Sequence, residues 1–194
     1  MEGTLSAASL YSGIGHSRAM RETEVKVIEI DRGAVVRKLE LLGGEVVFDG
    51  MMHAVFLDHP DGSIVGNGNL LRLRSAGERT VMTFKGFVSR TGVKVMEEVE
   101  SEVSDMGAAL AVLQAIGLVV IRDMEKHRTS YRLGKAHVDI DRYVGKHAHI
   151  PEFLEIEAED LEEITAIARK LGFSPERLLP WSTKDLLDHY ARGA

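Results

Sequence analysis

Residues 22–27 read Glu-Thr-Glu-Val-Lys-Val. Alternate side chains of a β-strand point to opposite sides, so Glu22, Glu24 and Lys26 share one face, with Val25 and Val27 on the other. On an isolated strand this pattern describes a sheet with one solvated face. Here it returns along the whole chain, and that recurrence sets the fold.

In residues 69–75, NLLRLRS, Leu71 and Leu73 alternate with Arg72 and Arg74. In residues 80–87, TVMTFKGF, Met82 and Phe84 alternate with Thr83 and Lys85. Residues 97–103, EEVESEV, set Glu98 and Glu100 on one side, and residues 153–160, FLEIEAED, do the same with Glu155 and Glu157. MEKHRTSYRL at 124–133 aligns Lys126, Arg128 and Ser130, while AHVDIDRYV at 136–144 sets His137, Asp139 and Asp141 against Val138, Ile140 and Val144. Turn signals HPDGS, SAGE and LGKA separate these strands and favour antiparallel hairpins over parallel crossovers.

Three of the glutamate-bearing strands run into a helix with the same punctuation. Each helix is opened by a capping side chain, at Asp31, at Ser104 or Asp105, and at Asp160, and stops at Gly43, Gly117 or Gly172. The helices carry apolar stripes: Val35, Val36, Leu39 and Leu42, then Leu110, Leu113 and Ile116, then Ile164, Ile167, Ala168 and Leu171. Such stripes need an apolar sheet face to cover.

A chain of 194 residues suits one good-sized domain. The absence of cysteine excludes a disulfide framework, a thiolate nucleophile and thiolate metal ligation. A formal net charge of -6 argues against a nucleic-acid-binding surface. No apolar stretch reaches the length of a membrane span and no signal-peptide pattern opens the chain, so a soluble cytoplasmic protein is expected. Residues 1–19, small and polar without a clear period and followed by Met20, are read as a flexible extension. Residues 20–194 are read as a single domain.

Two architectures fit one apolar and one charged face per strand. An open sheet shows its charges to water; a closed barrel puts the apolar face outside beneath the helices and the charges inside. The charges come in like pairs, acid with acid and base with base, which repel unless they jointly hold an ion. Carboxylates suit hard cations such as Mg²⁺ or Mn²⁺, and Arg forks and Lys ammoniums suit phosphate oxygens. Lys26, Arg72, Arg74, Lys85, Lys126 and Arg128 are too many cations for one phosphate and fit a short phosphate chain. The phosphate-cradling GxxxxGK[ST] loop is absent from the sequence.

The ExExK of Glu22, Glu24 and Lys26, the RLR of Arg72 and Arg74, the TFKG around Lys85, the EVE of Glu98 and Glu100, the KHR of Lys126 and Arg128 and the FLEIE of Glu155 and Glu157 resemble the CYTH superfamily in kind and order. These triphosphate tunnel metalloenzymes include class IV adenylyl cyclases, thiamine triphosphatases and inorganic tripolyphosphatases. The resemblance spans residue 21 to about residue 190. It implies an α+β fold, a closed eight-stranded antiparallel β-barrel forming a tunnel with a charged interior and helices packed outside. It further implies a small-molecule triphosphate held by Lys26, Arg72, Arg74, Lys85, Lys126 and Arg128. Mg²⁺ or Mn²⁺ would be held by Glu22, Glu24, Glu155, Glu157 and Asp141, with Asp139 a weaker candidate. Glu98, Glu100 and Lys26 form the implied catalytic group, the two glutamates on the metal side or positioning water.

The resemblance leaves three outcomes open: phosphoanhydride hydrolysis, conversion of ATP to cyclic AMP and pyrophosphate, or binding without turnover. Retention of three acidic pairs speaks against pure binding, and hydrolysis is the leading expectation. A homodimer is compatible with the sequence. Met51, Met52 and His53 stand where many relatives carry polar and aromatic residues, which removes any carried-over base pocket. His147 and His149 read as exposed loop residues. Trp181 reads as a packing anchor before a C-terminal helix capped by Ser182 or Thr183, and Tyr131 and Tyr143, outside the charged runs, receive no role.

Overall fold

The computed structural model describes residues 23–89 and 95–191. Glu22 and the extension read at residues 1–19 lie outside the described residues. The elements are β1 (Thr23–Val27), α1 (Arg32–Leu41), β2 (Glu45–Asp58), the single turn α2 (Ser63–Gly66), β3 (Leu70–Ala76), β4 (Arg79–Ser89) and β5 (Val95–Val103). They continue with α3 (Met106–Ala115), β6 (Val119–Leu133), β7 (Ala136–Tyr143), β8 (Phe153–Ala158), α4 (Leu161–Lys170) and α5 (Thr183–Ala191).

The helix boundaries follow the cap chemistry. The Asp31 carboxylate accepts the Ala34 N–H at 3.0 Å, Asp105 accepts that of Ala108 at 2.6 Å and Asp160 that of Glu163 at 2.8 Å. Each such cap is worth about 1 kcal/mol. At the start of α5 it is Ser182 that exchanges hydrogen bonds with Asp185. Beyond α3 the backbone turns through Gly117 at φ +100°, which a side chain would strain.

The strands form one sheet in the order β1–β8–β7–β6–β2–β3–β4–β5. The ladders β1–β8, β7–β8, β6–β7 and β4–β5 are antiparallel. This is the eight-stranded antiparallel α+β architecture expected, with one difference. The strand order has ends, β1 and β5, and among the described residues no ladder joins them into the expected barrel. A local cause is visible at Lys26. Its N–H donates to the Leu179 carbonyl at 2.8 Å, and the Leu179 N–H donates back to the Lys26 carbonyl at 2.9 Å. A strand has two edges; β8 takes one edge of β1 and the segment before α5 takes the other at Lys26. That cover also blunts an edge that would otherwise invite pairing with another chain.

The chain divides into two units, each with its own apolar core. Among the described residues, one comprises Val55–Ser75 and Arg79–Arg122; the other comprises residues 23–54, Ala76–Glu78 and residues 123–191. In the second unit Val25, Val27, Val138, Ile140, Leu154 and Ile156 lie beneath Val35 and Leu39 of α1 and Ile164, Ile167 and Ala168 of α4. In the first, Leu73, Val55 and Leu57 pack with Leu110 and Leu113 of α3, and Leu71 and Met82 lie against them. Ile116 departs from its expected stripe. It is 70% exposed because it sits at the C-terminal end of α3, where the chain already turns away from the sheet. No helix among the described residues is long and apolar enough to cross a membrane.

Candidate functional site

The second unit collects acids and bases from β1, β6, β7 and β8 on the sheet face opposite its core. The registers place them rung by rung: Glu24 faces Glu157 and Lys26 faces Glu155 across β1–β8, Asp139 faces Glu155 across β7–β8, and Arg128 faces Asp141 across β6–β7. Lys26, only 1% exposed, reaches Glu24 at 2.5 Å and Glu155 at 3.0 Å. The Arg128 fork donates to both oxygens of Asp141 and also pairs with Asp139 and Glu155. Lys126 donates to Asp141 at 2.5 Å while its ammonium lies 6.0 Å from the Tyr143 ring and 5.9 Å from that of Phe153.

Burial alone would discharge these groups, and their partners prevent it. It works against the charge on Lys26, but Glu155 and Glu24 outweigh it and raise the ammonium pKa. Burial likewise opposes the Arg128 charge, and Glu155 and Asp141 overcome it. Glu155, whose burial favours the neutral acid, is held well below its ordinary value by Lys126, Arg128 and Lys26. Asp139 goes the other way: burial, with Asp141 and Glu155 nearby, raises it despite Arg128 and Ser130.

The first unit carries a smaller array on β3, β4 and β5. Lys85 faces Glu98 across the β4–β5 ladder and pairs with it at 2.8 Å; Thr83 faces Glu100 and donates its hydroxyl to it at 2.7 Å. Burial pushes the Glu100 pKa up, but the Thr83 hydroxyl, Arg74, Glu98 and Arg72 bring it below its ordinary value. Further along β5, Glu102 pairs with Arg79 at 3.3 Å in an exposed contact.

The residues expected from the sequence thus fall into two sets. Glu24, Lys26, Lys126, Arg128, Asp141, Glu155 and Glu157 share a face of the second unit, and Arg72, Arg74, Lys85, Glu98 and Glu100 belong to the first. Glu22 lies outside the described residues. Three further side chains belong to these faces. Thr83 orients Glu100, Ser130 neighbours Asp139, and Tyr143 continues the series His137, Asp139, Asp141 along β7. The period of two that picked out Asp139 and Asp141 also reaches Tyr143; only its lack of charge hid it.

Glu24 and Glu157 are the described acids best suited to a divalent ion. They oppose each other directly on one rung, where like charges repel, and an ion between them would remove that repulsion. Their oxygen donors match Mg²⁺ or Mn²⁺. The oxygens of Asp141 and Glu155 are engaged by lysine and arginine, and one oxygen of Glu24 is engaged by Lys26. Among the described residues no group of three or more histidine or carboxylate side chains is gathered at metal-binding spacing.

Fold and site together define an α+β protein whose sheet bears paired acids and bases on one face. The chain matches the CYTH domain family over residues 20–184 and belongs to that family. A Methanocaldococcus jannaschii protein provisionally named an adenylate cyclase is 24% identical over 176 residues, covering 86% of this chain and 98% of that protein. A conserved hypothetical protein from Pyrococcus furiosus has a similar structure, with TM-score 0.70 and 25% identity over 86% of this chain and 99% of its own. The same fold occurs in a Hippeastrum protein provisionally called an adenylyl cyclase and described as having a dominant triphosphatase activity. It has TM-score 0.59 and 18% identity, over 88% of this chain and 96% of its own.

Proposed function

We propose that this protein is a divalent-metal-dependent enzyme that hydrolyses a phosphoanhydride bond of a small triphosphate-bearing substrate. One observation carries the reading: the first unit sets Arg72, Arg74 and Lys85 against Glu98 and Glu100, an array with one cation in excess and with forks suited to phosphate oxygens. Membership of the CYTH family supports a triphosphate-acting enzyme in general.

The roles follow from the charges. Arg72, Arg74 and Lys85 grip phosphate oxygens. Glu100 stays ionised. Because the Glu100 pKa is depressed, it is a weak base, better suited to orienting a water by accepting its hydrogen bond than to removing a proton. Lys26, Lys126 and Arg128 reach phosphate by exchanging a carboxylate partner for a phosphate oxygen. Glu24 and Glu157, with Glu22, would hold a divalent ion, which would supply neutralisation of the phosphate charge.

Phosphorus NMR tests the reading directly, with purified protein, Mg²⁺ or Mn²⁺ and, separately, tripolyphosphate, ATP and thiamine triphosphate. Orthophosphate release from one of them is expected. Pyrophosphate with cyclic AMP from ATP would replace hydrolysis by cyclisation, and tight binding without turnover would leave a binding module.

A further inference from the structure

We infer that the charged face of the second unit is a trough with one closed end, which accepts a phosphate chain only by a free, unesterified terminal phosphate seated at Lys126 and Arg128. The inference rests on the triphosphate reading above and narrows its substrate class. The registers order this face into rungs two residues apart. Glu24, Glu157, His137 and Arg132 form the first, across β1, β8, β7 and β6, and Lys26, Glu155, Asp139 and Ser130 form the second. Phe153, Asp141 and Arg128 form the third, and Tyr143 and Lys126 the fourth. Met124, two residues before Lys126 on β6, lies beyond the fourth on the same face.

Exposure and polarity fall together along these rungs. At the first, Arg132 and His137 are exposed and the Glu24 side chain is 46% exposed. At the third and fourth, Phe153, Asp141 and Tyr143 are buried, and Met124 beyond them is 4% exposed. The Lys126 ammonium lies 5.9 Å from the Phe153 ring, and the Phe153 and Tyr143 rings pack on each other at 5.6 Å. Lys126 and Arg128 are therefore the last cations before a packed apolar end. A phosphate pushed past them would meet apolar side chains in place of donors, and close packing leaves no room there for a sugar or a ring. The phosphate chain stops at these two cations, and its other end leaves through the exposed first rung. An ester group on one end of the chain fits this geometry; ester groups on both ends do not.

Tripolyphosphate, ATP and diadenosine triphosphate carry the same three phosphates with neither, one or both ends esterified, and calorimetric titration of the wild type with each measures the effect. Tripolyphosphate and ATP should bind within roughly 10-fold of each other, and diadenosine triphosphate roughly 100-fold or more weakly than ATP, the scale for losing two charge-assisted contacts. Lys126→Met keeps an unbranched chain beside the Tyr143 and Phe153 rings and removes the ammonium. Once thermal unfolding shows that it is folded, this variant should bind ATP roughly 10-fold or more weakly with diadenosine triphosphate scarcely changed, so that the ratio narrows. Diadenosine triphosphate matching ATP in the wild type, whether both bind or both are rejected, overturns the inference even if the variant does not fold. An unchanged ratio in the folded variant overturns it as well. Tight binding of tripolyphosphate without turnover overturns the hydrolase reading alone, since the affinity ratio still judges the closed end. No binding of tripolyphosphate or ATP by the wild type overturns both.

Discussion

The two charged arrays look alike in sequence and differ in balance. In the first unit Arg72, Arg74 and Lys85 accompany two acids, Glu98 and Glu100, and Lys85 pairs with Glu98 at 2.8 Å. In the second unit Lys26, Lys126 and Arg128 share a face with five acids, Glu24, Asp139, Asp141, Glu155 and Glu157, and every cation is in contact with at least one of them. An array short of acids attracts anions, and an array rich in acids attracts cations. On the proposed reading the same residue types divide the work: the first array would grip phosphate, and the second would be a charge reservoir whose cations become available as its acids find other partners.

The largest effect that separates them is on stability. Arg128→Ala should destabilise the protein by about 3–5 kcal/mol, because it leaves buried Asp141 and its neighbours Asp139 and Glu155 without their shared cation. Urea unfolding measures this. Arg74→Ala, whose partners are fewer and better solvated, should change stability by less than about 1 kcal/mol. Equal losses for both variants would erase the distinction.

The next effect runs in the opposite order. Arg74→Ala should weaken tripolyphosphate binding roughly 10- to 100-fold, as expected for one charge-assisted contact, in calorimetric titrations with folded protein. Metal should matter through the second unit. A divalent ion on Glu24 and Glu157 would loosen Glu24 from Lys26, so removing metal with EDTA should lower tripolyphosphate affinity by roughly 5-fold or more, within the usual range of coupling between sites. Glu157→Gln should abolish most of that dependence. Metal-independent affinity in the wild type would show that the acid-rich array does not regulate the cations beside it.

Much of this arrangement was legible because a strand repeats every two residues. That period assigned Glu24 and Lys26, Arg72 and Arg74, and Glu155 and Glu157 to charged faces, and the Asp31, Asp105 and Asp160 caps marked the helices. Three things were hidden. Period does not reveal which cation meets which acid, since Arg128 finds Glu155 across 27 residues of chain and Lys26 finds it across a different ladder. Nor does it show what covers a strand edge: the Lys26–Leu179 contact depends on backbone groups that every sequence possesses. Tyr143 was missed for a third reason, that a neutral side chain leaves no mark in a pattern read by charge.

The smallest expected difference between the arrays lies in their response to acid, and its sign follows from two carboxylates. Glu155 in the folded protein ionises well below its ordinary value of 4.5. Near pH 4 the unfolded chain therefore binds more protons there, so stability rises with pH in that range, is complete above about 4.5 and is lost as pH falls through the folded value. Glu100 shifts in the same direction, but it is largely solvated and contributes less. Asp139, raised above 3.8, contributes with the opposite sign: its proton is held more tightly in the fold, and acid relieves its burial. Urea midpoints measured from roughly pH 6 down to pH 3 should therefore fall in the wild type, with Glu155 setting most of the slope. Glu155→Gln should flatten that slope even though it lowers the starting stability, so slopes rather than midpoints are compared. Glu100→Gln should leave the slope nearly unchanged. If Glu100→Gln flattens it as much as Glu155→Gln does, both arrays hold their carboxylates equally tightly, and the division into a phosphate grip and a charge reservoir fails.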